Sequence, residues 1–301
     1  MNTSTPIVTV ICLCFNHARF LREALNSVFE QSYDNIQIII VDDGSTDGSV
    51  MEIHKFLEEK QKVQNTNKNI LFIENATNIG NCAAFNKAFV LANGKYIIDF
   101  ATDDVMLPNR IWKQVEQFEK ASDKVGVIYS DAVIIDENSM VLGMHSDKYK
   151  FQPEGDIYQY VLRKYFICPP TMMIKKQVLD EMGGYDATLA FEDFDFWIRS
   201  ARNWHYAYDS SPLTQRREVA NSHGKNFFKR RNKIHETTYK VCGKAFDLNG
   251  KGVEFWNLAG RCIYEGYINI KAGNYELIIP YVILLLKCII KLVAVQKKRE
   301  T

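Results

Sequence analysis

The sequence predicts an α/β protein with a doubly wound, mostly parallel, Rossmann-like sheet and a small helical extension at the C-terminal end. Two observations support this: short, β-branched apolar runs recur through the first hundred residues, and helical patterns separate them. Strands that alternate with helices are typical of a parallel sheet covered on both faces. A chain of 301 residues is long enough to bury a large core with a smaller appendage.

Four apolar runs are the predicted parallel strands, and the segments between them have helical periodicity. The runs cover residues 7–13, 36–41, 70–73 and 96–100. Residues 20–29, 50–57 and 83–91 place apolar side chains three to four positions apart, which predicts amphipathic helices. Pro108 predicts the start of a further helix, and residues 125–135 predict a further strand.

The pattern divides the chain into a core domain over residues 1–215, a helical region over 216–275 and an amphipathic basic helix over 276–301. The last region is almost wholly apolar up to Val295, interrupted by Lys287 and Lys291. These lysines share one helix face, which favours an interfacial helix lying against anionic headgroups. A packed core or dimer helix and a membrane span are the alternatives, although a span needs about 20 apolar residues without a central charge.

Composition excludes several other classes of protein. The formal net charge is +1, so no global field indicates a nucleic-acid partner. The seven cysteines are scattered and form no C-x-x-C pair, which argues against a disulfide framework and against a zinc site. Residues 1–6 lack the features of a signal peptide, so a cytoplasmic location is expected.

Polar residues follow each of the first four predicted strands. In strand order they are Phe15 and Asn16, Asp42 and Asp43, Asn78 and Gly80, and Asp103 and Asp104. Parallel sheets bind ligands beyond the carboxyl ends of their strands. The sequence therefore predicts a binding site at this edge, with an aromatic ring, amides and carboxylates.

These motifs resemble glycosyltransferase family 2, which has the GT-A fold. The resemblance covers about residues 6–215 and extends to Gly183-Gly184-Tyr185-Asp186 and to Glu192-Asp193-Phe194-Asp195-Phe196-Trp197. It implies an inverting enzyme that moves a sugar from a nucleotide sugar, a UDP-sugar in the first instance, to a hydroxyl. The implied acceptor is a glycan or a lipid-linked molecule, in cell-surface polysaccharide or glycolipid synthesis.

The resemblance also implies roles for individual residues. Asp104 would bind a divalent metal, Mn or Mg, and Asp103 would lie near the ribose or the sugar of the donor. Asp43 would accept a hydrogen bond from a pyrimidine N–H, and Phe15 would stack on that ring. The remaining donor-site residues are Asn16, Asn78 and Gly80. A plain alternative for the two adjacent acids is a solvated turn or a helix cap.

Asp193 aligns with the catalytic base of the family, and Glu192 and Asp195 have weaker claims. A base is needed because an acceptor hydroxyl is a poor nucleophile until its proton is removed. The alternative is a surface helix start, where acidic residues are favoured by the helix dipole.

One departure from the family pattern concerns the nucleotide. Relatives commonly have Ala-Arg-Asn a few residues after Asn-x-Gly, whereas this chain has Ala84-Phe85-Asn86. Phe85 supplies neither charge nor a donor fork, so the donor base is in doubt unless another residue such as Lys87 compensates. The departure leaves open a degenerate GT-A scaffold acting as a membrane-bound partner. Which of Arg216, Arg217 and His223 contacts phosphate is also left open.

The resemblance places the protein on the cytoplasmic, inner face of a bacterial membrane, attached peripherally through the C-terminal helix. The chain has no Gln-x-x-Arg-Trp element and no multi-span region, which argues against a processive synthase. A nucleotidyltransferase is disfavoured because no Gly-rich basic loop follows the first strand, and a dehydrogenase because G-x-G-x-x-G is missing.

Overall fold

The computed structural model describes residues 5–63, 69–219 and 232–300. These residues form two compact units. The first consists of residues up to 155 with 167–188 and 204–218, and the second of residues 156–166 and 189–203 with those from 219 onwards.

Nine described strands form one mixed sheet in the first unit. They are β1 (Val8–Cys14), β2 (Ile36–Asp42), β3 (Asn69–Glu74), β4 (Tyr96–Ala101), β5 (Val105–Met106), β6 (Val125–Ile135), β7 (Val141–Met144), β8 (Met173–Lys175) and β9 (His205–Arg217). Their order is β3-β2-β1-β4-β8-β6-β9-β5, and β7 pairs with β6. The pairs β1·β2, β1·β4, β2·β3 and β6·β9 are parallel, and the other pairs are antiparallel.

Six helices belong to this unit. They are α1 (Ala18–Phe29), α2 (Ser49–Val63), α3 (Asn81–Phe89), α4 (Arg110–Lys120), α5 (His145–Lys148) and α7 (Lys176–Met182). Every residue of β1 and β2 is buried, as expected for strands covered on both faces. α1 packs with Leu21, Leu25 and Val28 buried, which are the positions that the apolar spacing predicted.

The second unit is helical. It contains α6 (Tyr158–Arg163), α8 (Asp193–Ser200), α9 (Lys233–Leu248), α10 (Gly252–Ala272) and α11 (Ile278–Glu300). A buried pair of Arg261 and Glu265, 3.4 Å apart, lies at its centre. The Arg261 guanidinium stacks over Tyr165 at 4.1 Å and over Phe194 at 4.6 Å, which ties α10 to α8.

The predicted fold class is confirmed: the sheet is mixed and mostly parallel, and helices follow it. Each predicted strand and helix up to residue 135 is present, with ends shifted by a few residues. β9 was not predicted, because this strand carries Pro212 and several polar residues rather than an apolar run. All seven cysteines are buried.

Candidate functional site

The Asp43 carboxylate lies at the carboxyl end of β2 and is almost fully hydrogen-bonded. Its Oδ1 accepts from Asn75 Nδ2 at 2.9 Å and from the Ile79 amide at 2.9 Å. Its Oδ2 accepts from the Gly80 amide at 2.9 Å. Asp43 is 5% exposed, and three donors compensate its burial. The loop before α3 is thus wrapped around this one carboxylate, and Asn78 Oδ1 adds a bond to the Gly80 amide at 3.1 Å.

The loops after β1 and β2 are tied to each other. Asn16 Oδ1 accepts from the Thr46 amide at 2.8 Å, and the Asn16 amide donates to Ser45 Oγ at 2.9 Å. Asn16 has a φ of 57°, in the left-handed region that asparagine tolerates. The Phe15 side chain beside it is 44% exposed. An exposed aromatic ring next to hydrogen-bonded polar loops is a suitable platform for a planar ligand.

Gly44 is required where the β2 loop meets the loop before α3. A Cβ atom at Gly44 would lie 2.5 Å from the amide nitrogen of Asn78 and 2.5 Å from the carbonyl carbon of Thr77, and its φ is +73°. Asp42 holds this turn by accepting from the Ser45 amide at 2.8 Å. Asp42 therefore holds the loop in place by accepting a hydrogen bond from a backbone amide.

Asp103 and Asp104 follow β4, and Arg217 at the end of β9 holds them in place. The Arg217 amide donates to Asp104 Oδ1 at 2.7 Å, and its Nε donates to the Asp103 carbonyl at 2.8 Å. The guanidinium also donates to the Asp136 carbonyl at 2.9 Å and to Glu23 Oε2 at 2.6 Å. With its side chain 1% exposed, Arg217 braces the acidic loop from behind.

Fewer hydrogen-bond donors compensate the burial of the Asp104 carboxylate than that of Asp43. Burial and the negative charge of Asp103 raise the pKa of Asp104 well above its usual range. The Arg217 amide and the charges of Arg216 and Arg110 offset only part of this effect. A cation placed beside the ionised carboxylate would supply the missing compensation.

The donor set fits a divalent cation that arrives with a diphosphate. Among the described residues, no group of three or more His, Cys, Asp and Glu side chains could hold a metal ion unaided. Hydrogen bonds from described residues reach Asp104 only at Oδ1, which leaves Oδ2 for a ligand. Mg²⁺ is typically bound by one or two carboxylates together with substrate phosphates and water. Asp104, with Asp103 next to it, matches that set.

Phe85 does not face the strand-end site. It is fully buried and stacks on Tyr185, with ring centroids 4.2 Å apart, and on Phe89. Lys87, two residues further on, donates from Nζ to Asn75 Oδ1 at 2.7 Å. Asn75 in turn donates to Asp43, so Lys87 orients the amide that holds this carboxylate.

Asp193 is the first residue of α8 in the second unit and is half-buried. Its neighbour Asp195 is 1% exposed and bonded to Arg199 Nε and Lys244 Nζ, each at 2.7 Å. Asp195 is thus held as a structural ion pair between α8 and α9. Asp193 and Asp195 differ in this way although both are acidic residues of the same first turn.

Two residues of the first-unit site were not identified from the sequence. Asn75 carried no motif signal, and Arg217 was one of several phosphate candidates rather than a brace for the acids. Arg217 lies 113 positions from Asp104 in the chain, so only the pairing of β9 in the sheet reveals the contact. His223 lies outside the described residues.

The chain belongs to glycosyl transferase family 2, whose family model matches residues 9–183. An uncharacterised glycosyltransferase of Methanocaldococcus jannaschii is 32% identical over 206 residues, covering 68% of this chain and 67% of that protein. A second one, of Rickettsia prowazekii, is 29% identical and covers 72% of this chain and 65% of its own length. The chain thus spans about two thirds of the length of these relatives.

Solved glycosyltransferases have a similar fold. The mannosyltransferase PcManGT of Pyrobaculum calidifontis, solved with GDP-Man and Mn²⁺, matches with a TM-score of 0.66 at 16% identity. The match covers 97% of this chain and 88% of that one. S. aureus TarS residues 1–349, solved with UDP-GlcNAc, match with a TM-score of 0.65 at 17% identity, covering 84% of this chain and 70% of that one. The fold is that of the GT-A glycosyltransferases.

Proposed function

We propose that this chain is an inverting, metal-dependent glycosyltransferase that transfers a sugar from a nucleotide sugar to a hydroxyl of a glycan or lipid-linked acceptor. The observation that carries the proposal is the contrast between two acids at the same edge of the sheet. Asp43 accepts three hydrogen bonds, whereas Asp104 accepts one from the described residues and has Asp103 beside it. A nucleotide diphosphate with its cation needs both kinds of site.

The donor would bind across the ends of β1 to β4. Phe15 stacks on the base, and Oδ2 of Asp43, which accepts one hydrogen bond from the Gly80 amide, accepts a second from a ring N–H. Uracil offers such an N–H, which makes a UDP-sugar the first candidate. Asp103 binds the ribose or the sugar. Asn16, Asn78 and Gly80 form the walls of the donor site by fixing the three loops around it.

Asp104 would hold Mn²⁺ or Mg²⁺, which neutralises the diphosphate as it leaves. Arg217 keeps the Asp104 carboxylate in one orientation through its amide. This rigidity favours binding because the carboxylate does not have to be ordered when the ligand arrives.

Asp193 is the proposed general base. It takes the proton of the acceptor hydroxyl as that oxygen attacks the anomeric carbon, and the bond from that carbon to the diphosphate oxygen breaks. The leaving nucleoside diphosphate keeps the electron pair. A single displacement of this kind inverts the configuration at the anomeric carbon. Asp195 is the weaker candidate for this role because its carboxylate is already paired with Arg199 and Lys244.

We further propose that the protein acts on the cytoplasmic face of the cell membrane, where a lipid-linked or surface-polysaccharide acceptor is made. Support comes from residues 275–295, whose most apolar window has a mean hydropathy of 2.4 and only 17% of its residues buried. This stretch is long and apolar enough to cross a membrane. Tyr281, Leu284 and Cys288 are nevertheless buried within the second unit, and a span would expose them. We therefore favour peripheral attachment.

Calorimetry with UDP and GDP, each with and without Mn²⁺, tests the proposed donor site. We expect Mn²⁺-dependent binding of UDP that is lost in Asp104→Ala. The matched control is Asp180→Ala, which removes an exposed acid on α7 and should leave binding unchanged. Preference for GDP would change the proposed donor base but keep the reaction class.

The second candidate is a degenerate scaffold that binds no donor. Its main support was the Arg-to-Phe change, and the burial of Phe85 together with the position of Lys87 weakens that support. Failure of the folded protein to bind either nucleotide in the presence of Mn²⁺ would favour the scaffold and contradict the enzyme.

A further inference from the structure

α10 and α11 pack side by side in opposite directions. A Cβ atom at Gly252, the first residue of α10, would lie 3.7 Å from Val295 Cγ1 and 3.9 Å from Leu292 Cδ2, near the end of α11. Cys262 and Cys288, each near the middle of its helix, are both buried. The two helices therefore form an antiparallel hairpin over most of their length.

The outer face of α10 is apolar and exposed, although the sequence singled out only α11. The large exposed side chains of α10 recur at helical spacing; they are Val253, Trp256, Ile263, Tyr264, Tyr267 and Ile270. Trp256 is the most exposed of them at 69%. The buried residues of α10, including Arg261 and Glu265, lie on the opposite face.

The exposed stripe of α10 adjoins the exposed face of α11. Trp256, Ile263 and Ile270 lie four, eleven and eighteen residues after Gly252, so around the helix axis they lie within about 40° of the position at which Gly252 meets α11, while remaining exposed. On α11 the corresponding exposed apolar residues are Ile279, Val282, Ile283, Leu286, Ile289, Ile290 and Val293. The two stripes thus form one two-helix surface, defined by these residues and by the six exposed side chains of α10.

The charges on this surface are nearly all positive. Between residues 252 and 295 the exposed charged residues are Lys271, Glu276, Lys287 and Lys291. The other acids of the segment, Glu254 and Glu265, are buried. The sequence continues with Lys297, Lys298 and Arg299. An apolar face with exposed Trp and Tyr side chains and lysines at its edge complements the interfacial region of an anionic bilayer, because the apolar side chains can enter the interface and the lysines can contact anionic headgroups.

We propose that the two-helix surface docks on an anionic lipid bilayer, with α10 and α11 both lying in the interface. The proposal rests on the membrane attachment suggested above and adds α10 as its second half. It also links docking to the proposed base: the opposite face of α10 carries Arg261, which stacks on Phe194 next to Asp193. The lipid-facing helix is therefore the one that supports the start of α8.

Vesicle flotation of the full chain tests the proposal. The probes are vesicles of phosphatidylcholine alone and of phosphatidylcholine with phosphatidylglycerol. We expect the protein to float with the anionic vesicles and the double variant Trp256→Glu/Ile263→Glu to partition at least about tenfold more weakly, since two large apolar side chains are lost from the interface. The control Val90→Glu/Trp112→Glu changes exposed apolar residues of the first unit and should float as the unchanged protein does.

A charge-reversal variant, Lys287→Glu/Lys291→Glu, measures the electrostatic contribution to vesicle binding separately from the apolar contribution. It should weaken flotation at low salt and differ little from the unchanged protein at high salt. Unchanged flotation of Trp256→Glu/Ile263→Glu would overturn the proposal by restricting docking to α11. Absence of flotation together with a dimer that this variant dissociates, measured by light scattering, would assign the surface to a second copy and also overturn it.

Two controls keep this result separate from the proposed activity. Circular dichroism melting should be alike for all variants, because each changed side chain is exposed. UDP binding with Mn²⁺ should be unaffected by the α10 changes. Flotation without nucleotide binding would support the docking surface and contradict the proposed donor site. Nucleotide binding without flotation would support the donor site and contradict the docking surface.

Discussion

Asp43 follows β2 and Asp104 follows β4, and the two residues are equally buried, at 5% exposure each. Asp43 accepts three hydrogen bonds from amide groups, whereas Asp104 accepts one from a described residue and has Asp103 beside it. Burial alone therefore does not decide what a carboxylate does. The number of donors around it distinguishes an acid that holds the protein together from one that awaits a cation.

The difference has opposite consequences for stability and binding. Removing the charge of Asp43 leaves two loop amides facing a poorer acceptor, so the folded state should suffer. Removing the charge of Asp104 relieves repulsion with Asp103, so the folded state should not suffer while the cation site is lost. Single substitutions at and around the two acids separate these consequences.

Arg217→Met should be the most destabilising change, by about 3 kcal/mol, because a buried guanidinium serves two carbonyls and the Glu23 carboxylate. It should also loosen the loop that carries Asp104 and weaken Mn²⁺-dependent UDP binding. Urea unfolding and calorimetry measure the two effects. Arg19→Met, which removes an exposed pair with Glu137, serves as the control and should change stability little. Equal effects of the two variants would rule out the bracing role.

Asp43→Asn should lower the free energy of unfolding by about 2 kcal/mol, since charge-assisted bonds to the Ile79 and Gly80 amides are weakened. UDP affinity should fall whether or not metal is present. Thermal melting and titrations with and without Mn²⁺ check both points. A variant that loses affinity only in the presence of metal would contradict the assignment of Asp43 to the base.

Lys87→Met should weaken UDP binding about fivefold and leave stability nearly unchanged, because Lys87 is exposed and acts through the Asn75 amide. Lys95→Met, whose lysine pairs with Glu119 away from the site, is the matched control. If both variants bind UDP equally well, Lys87 does not replace the missing arginine.

Asp47→Asn should cost about 1 kcal/mol or less at neutral pH, because Asp47 is exposed and accepts hydrogen bonds from the amides of Ala18 and Ser49, the first residues of α1 and α2. Burial tends to raise the pKa of Asp47, but hydrogen bonds from Ser49 and the Ala18 amide outweigh it and the pKa is lowered. A lowered folded-state pKa gives stability that is present above the unfolded value and lost as the pH falls through the folded value. The difference between the variant and the unchanged protein should therefore shrink in acid, as urea unfolding at several pH values would show.

The first half of the fold and the donor-site residues were predictable because their signals are local. Each strand from β1 to β4 is an apolar run, and each ends in the polar residues that the binding site uses. The bracing of Asp104 by Arg217 was not predictable, since it depends on β9, a strand with Pro212 and no apolar run. The α10 stripe was missed because Trp256 and Ile263 look like core positions until the burial of α10 is known.

Asp104→Asn tests the central contrast most directly. Manganese binding followed by electron paramagnetic resonance, with and without UDP, should show tight Mn²⁺ binding only in the ternary mixture and at least about 100-fold weaker binding in the variant. The melting temperature of the variant without ligands should equal or exceed that of the unchanged protein. A variant that keeps UDP-dependent Mn²⁺ binding, or that melts well below the unchanged protein, would contradict the account of Asp104 as an undercompensated metal ligand.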